Sequence, residues 1–165
     1  KACAKLAVQK MVEETEKRIT DKMMKRADEM GYTINEILTM ASIVQMESGQ
    51  ANGEMSNVAA VFYNRLNSNE FPTLDSDPTC NYGDSFRSDD DRYDTYKIKG
   101  LPPGPICSPS ISAINAALYP ASKDGYFYFV TDAKGNCYFH KTMAEQNATI
   151  ARLKQEDKWV YEYFN

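Results

Sequence analysis

Six of the seven prolines fall in one stretch of the chain: Pro72, Pro78, Pro102, Pro103, Pro105 and Pro109. Proline lacks an amide hydrogen and has a locked φ, so no long helix or central strand can run through such a stretch. Residues 67–109 therefore read as loop and turn, with room only for short strands near Phe71 and at residues 95–99. A loop region of this length inside a compact domain is usually functional or disordered. The aromatics Tyr82, Phe86, Tyr93 and Tyr96 argue against disorder. The run Asp89–Asp91 lacks the glycine and distal glutamate of a calcium loop and reads as a solvated turn.

On the N-terminal side, residues 1–30 contain neither Gly nor Pro and read as one long helix with an interrupted apolar stripe, stopped at Gly31. Thr33 and Glu36 form a capping box that opens a second helix through Ser48, ending at Gly49. A third helix is expected over about residues 56–66. On the C-terminal side, Ser108-Pro109 reads as an N-cap and first-turn proline opening a helix to about Leu118. Residues 126–131 (Tyr-Phe-Tyr-Phe-Val-Thr) form a strand, residues 132–136 with Gly135 a hairpin loop, and residues 137–140 the return strand. Thr142 and Glu145 form a second capping box before a helix over about residues 143–155. The aromatic tail, residues 159–164, is expected to pack on the body.

Helices dominate and the strands pair as a hairpin, so the class is α+β: one compact, helix-rich domain with a small antiparallel sheet and a long proline-rich loop region. Residues 1–32 are taken as an N-terminal helix linking to a region outside this sequence, and 33–165 as the functional body. The chain begins with Lys1, which suggests a piece of a longer protein.

Composition narrows the function. Lys plus Arg is 19 against 23 Asp plus Glu, so an evenly basic nucleic-acid binder is disfavoured. With His140 as its single histidine, the chain cannot build a multi-histidine metal site or a Ser-His-Asp triad elsewhere. No apolar run approaches the ~20 residues needed to span a bilayer. The four cysteines form no Cys-x-x-Cys pair and read as mostly free, partly buried thiols.

Glu47 is the most informative residue. Three, four and seven positions before it stand Val44, Ile43 and Met40, all apolar, so its carboxyl lies on or beside the core-facing stripe of the second helix. Burial and the negative end of the helix dipole both disfavour ionisation, and a carboxylic acid that keeps its proton near neutral pH can serve as a general acid. The plainer alternative is a helix-end glutamate whose stem covers the core edge.

Residues 41–47 (Ala-Ser-Ile-Val-Gln-Met-Glu) resemble the catalytic-glutamate helix of the YceG-like family of endolytic murein transglycosylases. Further segments resemble that family in the same order: residues 58–66 its next helix, 74–79 its Ser-Asp-Pro-Thr loop, 93–96 its Tyr-Asn-Thr-Tyr segment, 100–109 its proline-rich signature, and 128–130 its strand before a glycine turn. The resemblance covers about residues 33–153. It implies cleavage of the β-1,4 bond between N-acetylmuramic acid and N-acetylglucosamine in nascent peptidoglycan strands, leaving 1,6-anhydro ends and terminating elongation. One carboxyl, Glu47, would act as acid and then base, with no cofactor or metal. Asn64, Asp77, Thr79 and Tyr96 match polar positions expected to line the glycan groove, and Gly104-Pro105 a rigid wall. Structural alternatives stand beside these: Asn64 could stabilise a helix end, Asp77-Pro78 only start a turn, and Tyr96 belong to the core. Arg65 reads as a salt-bridge or loop anchor rather than a substrate ligand. The implied setting is the outer face of a bacterial cytoplasmic membrane, beside penicillin-binding synthases, with any anchor outside this sequence.

Some positions depart from the family pattern. Gln45 replaces a common glutamate, Asp94 a common asparagine, and Cys137 and Gln146 common histidines. His140 reads as a hairpin surface residue. Two other readings remain open: a hydrolytic muramidase using Asp75 or Asp77 as second carboxylate, and a glycan-binding or scaffold module without turnover.

Overall fold

A computed structural model of the chain describes residues 2–48, 53–71, 73–86, 91–122 and 125–159. Gly49, Pro72, Asp89, Asp90 and all of the aromatic tail beyond Trp159 lie outside these residues. The elements run α1 (Ala2–Arg18), α2 (Asp21–Met30), α3 (Ile34–Ser48), α4 (Met55–Leu66), α5 (Asp77–Phe86), a 3₁₀ turn (Asp91–Tyr93), α6 (Ile111–Leu118), β1 (Tyr128–Thr131), β2 (Cys137–His140) and α7 (Met143–Gln155). The architecture is α+β, with a helical body and one antiparallel hairpin. No helix among the described residues is long and apolar enough to cross a membrane.

Helix α3 is the centre. Its six consecutive residues Thr39–Val44 are all buried, as expected of a helix enclosed on every side rather than one with a single apolar face. It packs on α6, α4, α2 and α5. Two hydroxyls on this buried helix are satisfied locally: Thr39 donates to the Asn35 carbonyl at 2.8 Å and Ser42 to that of Thr39 at 2.7 Å. The helix's own Ile37, Met40 and Ile43, together with Phe62 of α4 and Leu118 of α6, are among the fully buried side chains. Across the core, the Tyr63 hydroxyl donates to the Ala117 carbonyl at 3.0 Å, and Arg26 Nε to that of Leu118 at 3.0 Å.

The N-terminal region is two helices, not one. Thr20 is extended (φ −86°, ψ 159°) and its hydroxyl accepts from Met23 N, which caps a new helix with Asp21 in its first turn. Gly31 ends α2 in the left-handed conformation, φ 79°, as the sequence suggests. The capping boxes at Thr33/Glu36 and Thr142/Glu145 form as expected.

Residues 67–109 hold more order than the prolines imply, and of a different kind. Among the described residues they form no strand; instead 77–86 is a helix. Pro78 stands in its first turn, where a missing N–H goes unfelt, and the Ser76 carbonyl accepts from Thr79 N and Cys80 N to start it. The loop beyond Gly100 is pinned to α3, with Ser42 Oγ accepting from Ile106 N at 3.0 Å. Helix α6 begins two residues later than expected because Ser110, not Ser108, provides the cap, accepting from Ala113 N at 3.2 Å.

In the hairpin, Tyr128 pairs with His140 and Thr131 with Cys137. The turn is organised by Asp132, which accepts from Lys134 N and Asn136 N, both at 2.9 Å, and from the Tyr138 hydroxyl. His140 is buried rather than on the surface: α7 covers it, and its Nε2 lies 2.8 Å from Thr149 Oγ1. Burial lowers its proton affinity. Cys80, Cys107 and Cys137 are free, half-buried thiols.

Candidate active site

Glu47 stands in the last turn of α3, whose apolar neighbours Ile43 and Val44 are buried. The glutamate is half-buried and lines a cleft of about 320 Å³. Five parts of the chain build this cleft: α4 gives Phe62 and Arg65, the segment leading into α5 gives Phe71, Asp75 and Asp77, the next loop gives Tyr96, β1 gives Tyr128 and Phe129, and α7 gives Met143 and Gln146. Burial raises the Glu47 pKa from its ordinary 4.5 to about 7; the Asp77 carboxylate adds to the rise, while a hydrogen bond from Ser76 and the Arg65 cation oppose it. The carboxyl that the apolar spacing singled out therefore keeps its proton near neutral pH while facing an open cleft.

The wall beside it is rigidly built. Asp75 takes a left-handed backbone, φ 49°, a conformation that aspartate tolerates better than most residues. Thr95 holds the following residue from both sides: its hydroxyl accepts from Ser76 N at 2.9 Å and donates to Ser76 O at 3.1 Å. Asp77 accepts from the Tyr96 hydroxyl at 2.7 Å. Burial and that carboxylate raise the proton affinity of the Tyr96 hydroxyl, so it remains a donor. The Tyr96 ring is 53 % exposed and forms an open aromatic lip rather than part of the core.

Of the two roles the sequence suggests for Arg65, salt bridge or loop anchor, the hydrogen bonds show the loop anchor. Arg65 is buried, donates from Nε to the Phe127 carbonyl at 2.8 Å, and donates from Nη1 to the Leu74 carbonyl. Its guanidinium lies over the Phe71 ring, 4.6 Å from the centroid. The ring stack of Phe71 on Phe127 continues this wall.

Of the residues expected at the site, the structure brings Glu47, Asp77 and Tyr96 together. Asn64 donates from Nδ2 to the Tyr126 carbonyl at 2.8 Å, tying α4 to the approach of β1, and is not among the cleft-lining residues. Thr79 is fully buried, its hydroxyl 2.9 Å from that of Ser76. Gly104 faces the Tyr93 hydroxyl, and Pro105 lines a separate groove beneath α1. Gln45, where an acid is common, accepts from Ser110 N at 3.1 Å and so braces α6.

Sequence reasoning passed over Phe71, Tyr128, Phe129, Met143 and Gln146 as cleft residues. The capping box gave a clue for the last two, since it fixes the α7 register and Met143 and Gln146, three apart, share a face. Among the described residues no three His, Cys, Asp or Glu side chains converge as metal ligands.

Comparison with known proteins places these residues in a wider setting. The model of the YceG-like family matches residues 1–152. An endolytic murein transglycosylase of Bacillus subtilis (strain 168) is 35 % identical over 137 residues, covering 78 % of this chain and 35 % of that protein. An endolytic murein transglycosylase of Streptococcus pneumoniae serotype 2 is 32 % identical over 72 % of this chain and 24 % of its own length. The crystal structure of a YceG-like protein from Listeria monocytogenes superposes with a TM-score of 0.75 at 36 % identity, covering 88 % of this chain and 48 % of that one. The chain thus spans about a third or less of the length of these two curated relatives.

Proposed function

The chain belongs to the YceG-like family, and from that premise we propose that it is an endolytic lytic transglycosylase of peptidoglycan with Glu47 as its acid and base. The observation that carries the reading is a carboxyl holding its proton to about pH 7 at the floor of a cleft walled by aromatic rings and hydrogen-bonding groups. Such walls suit a glycan, whose sugar faces stack on rings and whose hydroxyls need polar partners.

Glu47 donates its proton to the oxygen that links the muramyl anomeric carbon to the next glucosamine, and that carbon–oxygen bond breaks. The muramyl 6-hydroxyl oxygen then bonds the same anomeric carbon, and its proton passes to the Glu47 carboxylate. The products are a 1,6-anhydro-muramyl end and a glucosamine with a free 4-hydroxyl, and the acid is regenerated. No water is consumed, and the intramolecular nucleophile supplies the proximity that a second carboxylate would otherwise have to create. Asp77 and Tyr96 would bind sugar at the rim. Activity on nascent strands puts the domain on the outer side of the cytoplasmic membrane, where penicillin-binding synthases are its natural neighbours.

A hydrolytic muramidase is the second reading, because Asp75 and Asp77 line the same cleft and a carboxylate pair could activate water. Mass analysis of ends released from uncrosslinked glycan separates the two. The transglycosylase leaves anhydro ends lighter by one water, and the Glu47→Gln variant releases them roughly 10²–10⁴-fold more slowly. Hydrated ends, or full activity in that variant, would overturn the assignment; binding with no new ends would leave a glycan-binding module.

A further inference from the structure

Helix α7 meets the rest of the molecule along one face. Its residues drawn away from solvent are Gln146, Thr149, Ile150 and Leu153, the i, i+3, i+4, i+7 spacing of a single helical stripe. Leu153 is fully buried, and the Thr149 hydroxyl lies 2.8 Å from His140 Nε2. Gln146 is the N-terminal end of that stripe, and it lines the Glu47 cleft. Its carboxamide has no hydrogen-bond partner among the described residues. Met143, one turn earlier, lines the same cleft and is 52 % exposed. The capping box fixes the register of both: Thr142 Oγ1 accepts from Glu145 N, and the Glu145 carboxylate accepts from Thr142 N, each at 3.2 Å.

The charged groups of the cleft have a different hydrogen-bonding character. The carboxylates of Asp75 and Asp77 accept, and Asp77 already takes the Tyr96 hydroxyl hydrogen. The Arg65 guanidinium only donates, and its Nε and Nη1 hydrogens go to backbone carbonyls. Gln146 is the one amide side chain in the lining, with a donor and an acceptor side by side.

We infer that Gln146 and Met143 form a subsite for the acetamido group of an amino sugar and are specificity-determining residues of this cleft. This rests on the glycan-cleaving role proposed above. An acetamido group presents an N–H, a carbonyl and a methyl. A carboxylate would leave its carbonyl unpaired and a guanidinium its N–H, whereas a carboxamide pairs both. The methyl then falls one turn along the helix, on the Met143 thioether, a soft apolar surface that adapts its shape. A sugar with a free amine brings neither carbonyl nor methyl, and it leaves the Gln146 amide without an equal partner. Both sugars of peptidoglycan carry the acetamido group, so the test has one arm for each.

Three uncrosslinked glycan preparations are compared: fully N-acetylated, with free amines at glucosamine, and with free amines at muramic acid. Binding is read as Kd in the Glu47→Gln background, and cleavage as kcat/KM in the parent chain. Fully acetylated strands should bind about tenfold tighter than strands freed at the sugar that α7 contacts. Adding Gln146→Ala should cost about tenfold on acetylated strands and less than about twofold on those free-amine strands, so the preference disappears. Met143→Ala should cost about threefold in the same direction. Gln146→Glu, of the same shape but with no hydrogen to donate when ionised, should turn the preference toward the free amine. In cleavage, the Gln146→Ala loss should fall on KM, with kcat within about twofold of the parent. Equal losses on all three preparations would mark Gln146 as structural and overturn the inference, as would unchanged affinity for acetylated strands. Tighter binding of both free-amine preparations by the parent cleft would overturn it too, giving the amine to Asp75 and Asp77 instead. Failure of the glycan reading would look different, as no binding to any strand. Full cleavage by Glu47→Gln would sink the acid role of Glu47 while leaving the acetamido preference readable in kcat/KM.

Discussion

Two concave surfaces invite comparison. The groove beneath α1 holds about 800 Å³, and the cleft at Glu47 about 320 Å³. The larger is walled mainly by apolar and small groups such as Met11, Ile19, Leu38, Pro105 and Ile114, and the Glu14 carboxylate at its edge is paired with Arg18 at 2.7 Å. The smaller gathers Glu47, Arg65, Asp75 and Asp77, and holds one of them against its preferred charge. Volume records where something could pack. Reactivity follows instead from a titratable group kept from its ordinary state by its surroundings, and that occurs in the smaller space.

Glu47→Gln gives the largest expected contrast. Glycan cleavage should fall by roughly 10²–10⁴-fold, read from the rate of new ends, while thermal unfolding stays as cooperative as before. Retained cleavage would erase the distinction between the two surfaces. Arg65→Met comes next: it leaves the Leu74 and Phe127 carbonyls without their donor and should lower unfolding stability by about 3 kcal/mol in urea titrations. A smaller effect comes from pH. The folded chain holds the Glu47 proton up to about pH 7 and the unfolded chain only to about 4.5, so the folded state binds more protons between those values. Stability should therefore decline as pH rises from about 4.5 to about 7, by up to about 2 kcal/mol after allowing for partial solvent access, relative to Glu47→Gln measured in parallel. Smallest is Met11→Glu on the other groove. Met11 is 70 % exposed, and stability should change by no more than about 0.5 kcal/mol, with cleavage unaffected. A large loss of activity there would show that the α1 groove takes part after all.

What the sequence made legible was local in origin. Glu47 announced itself because its apolar neighbours lie within seven residues. The two capping boxes and the hairpin were readable because each depends on residues three to twelve apart. What escaped was set by distant partners or by misleading punctuation. Pro78 read as punctuation for a loop, yet it needs no donor in the first turn of α5. Thr20 was a legible cap hidden in an otherwise unbroken helical composition. Arg65 could be suspected as an anchor, but its acceptor at Phe127 lies 62 residues away. The same distance effect separates Pro105 from Glu47: the proline-rich segment matches a family signature, but its fold turns Pro105 toward α1.

The double grip of Arg65 has a mechanical consequence. One planar side chain rivets the strip at Leu74 to the strip at Phe127, so the two banks of the cleft share a single spacer of fixed length. Neither bank can drift outward without breaking a bond to a carbonyl, and the gauge of the cleft is set by the guanidinium rather than by the flexibility of either loop.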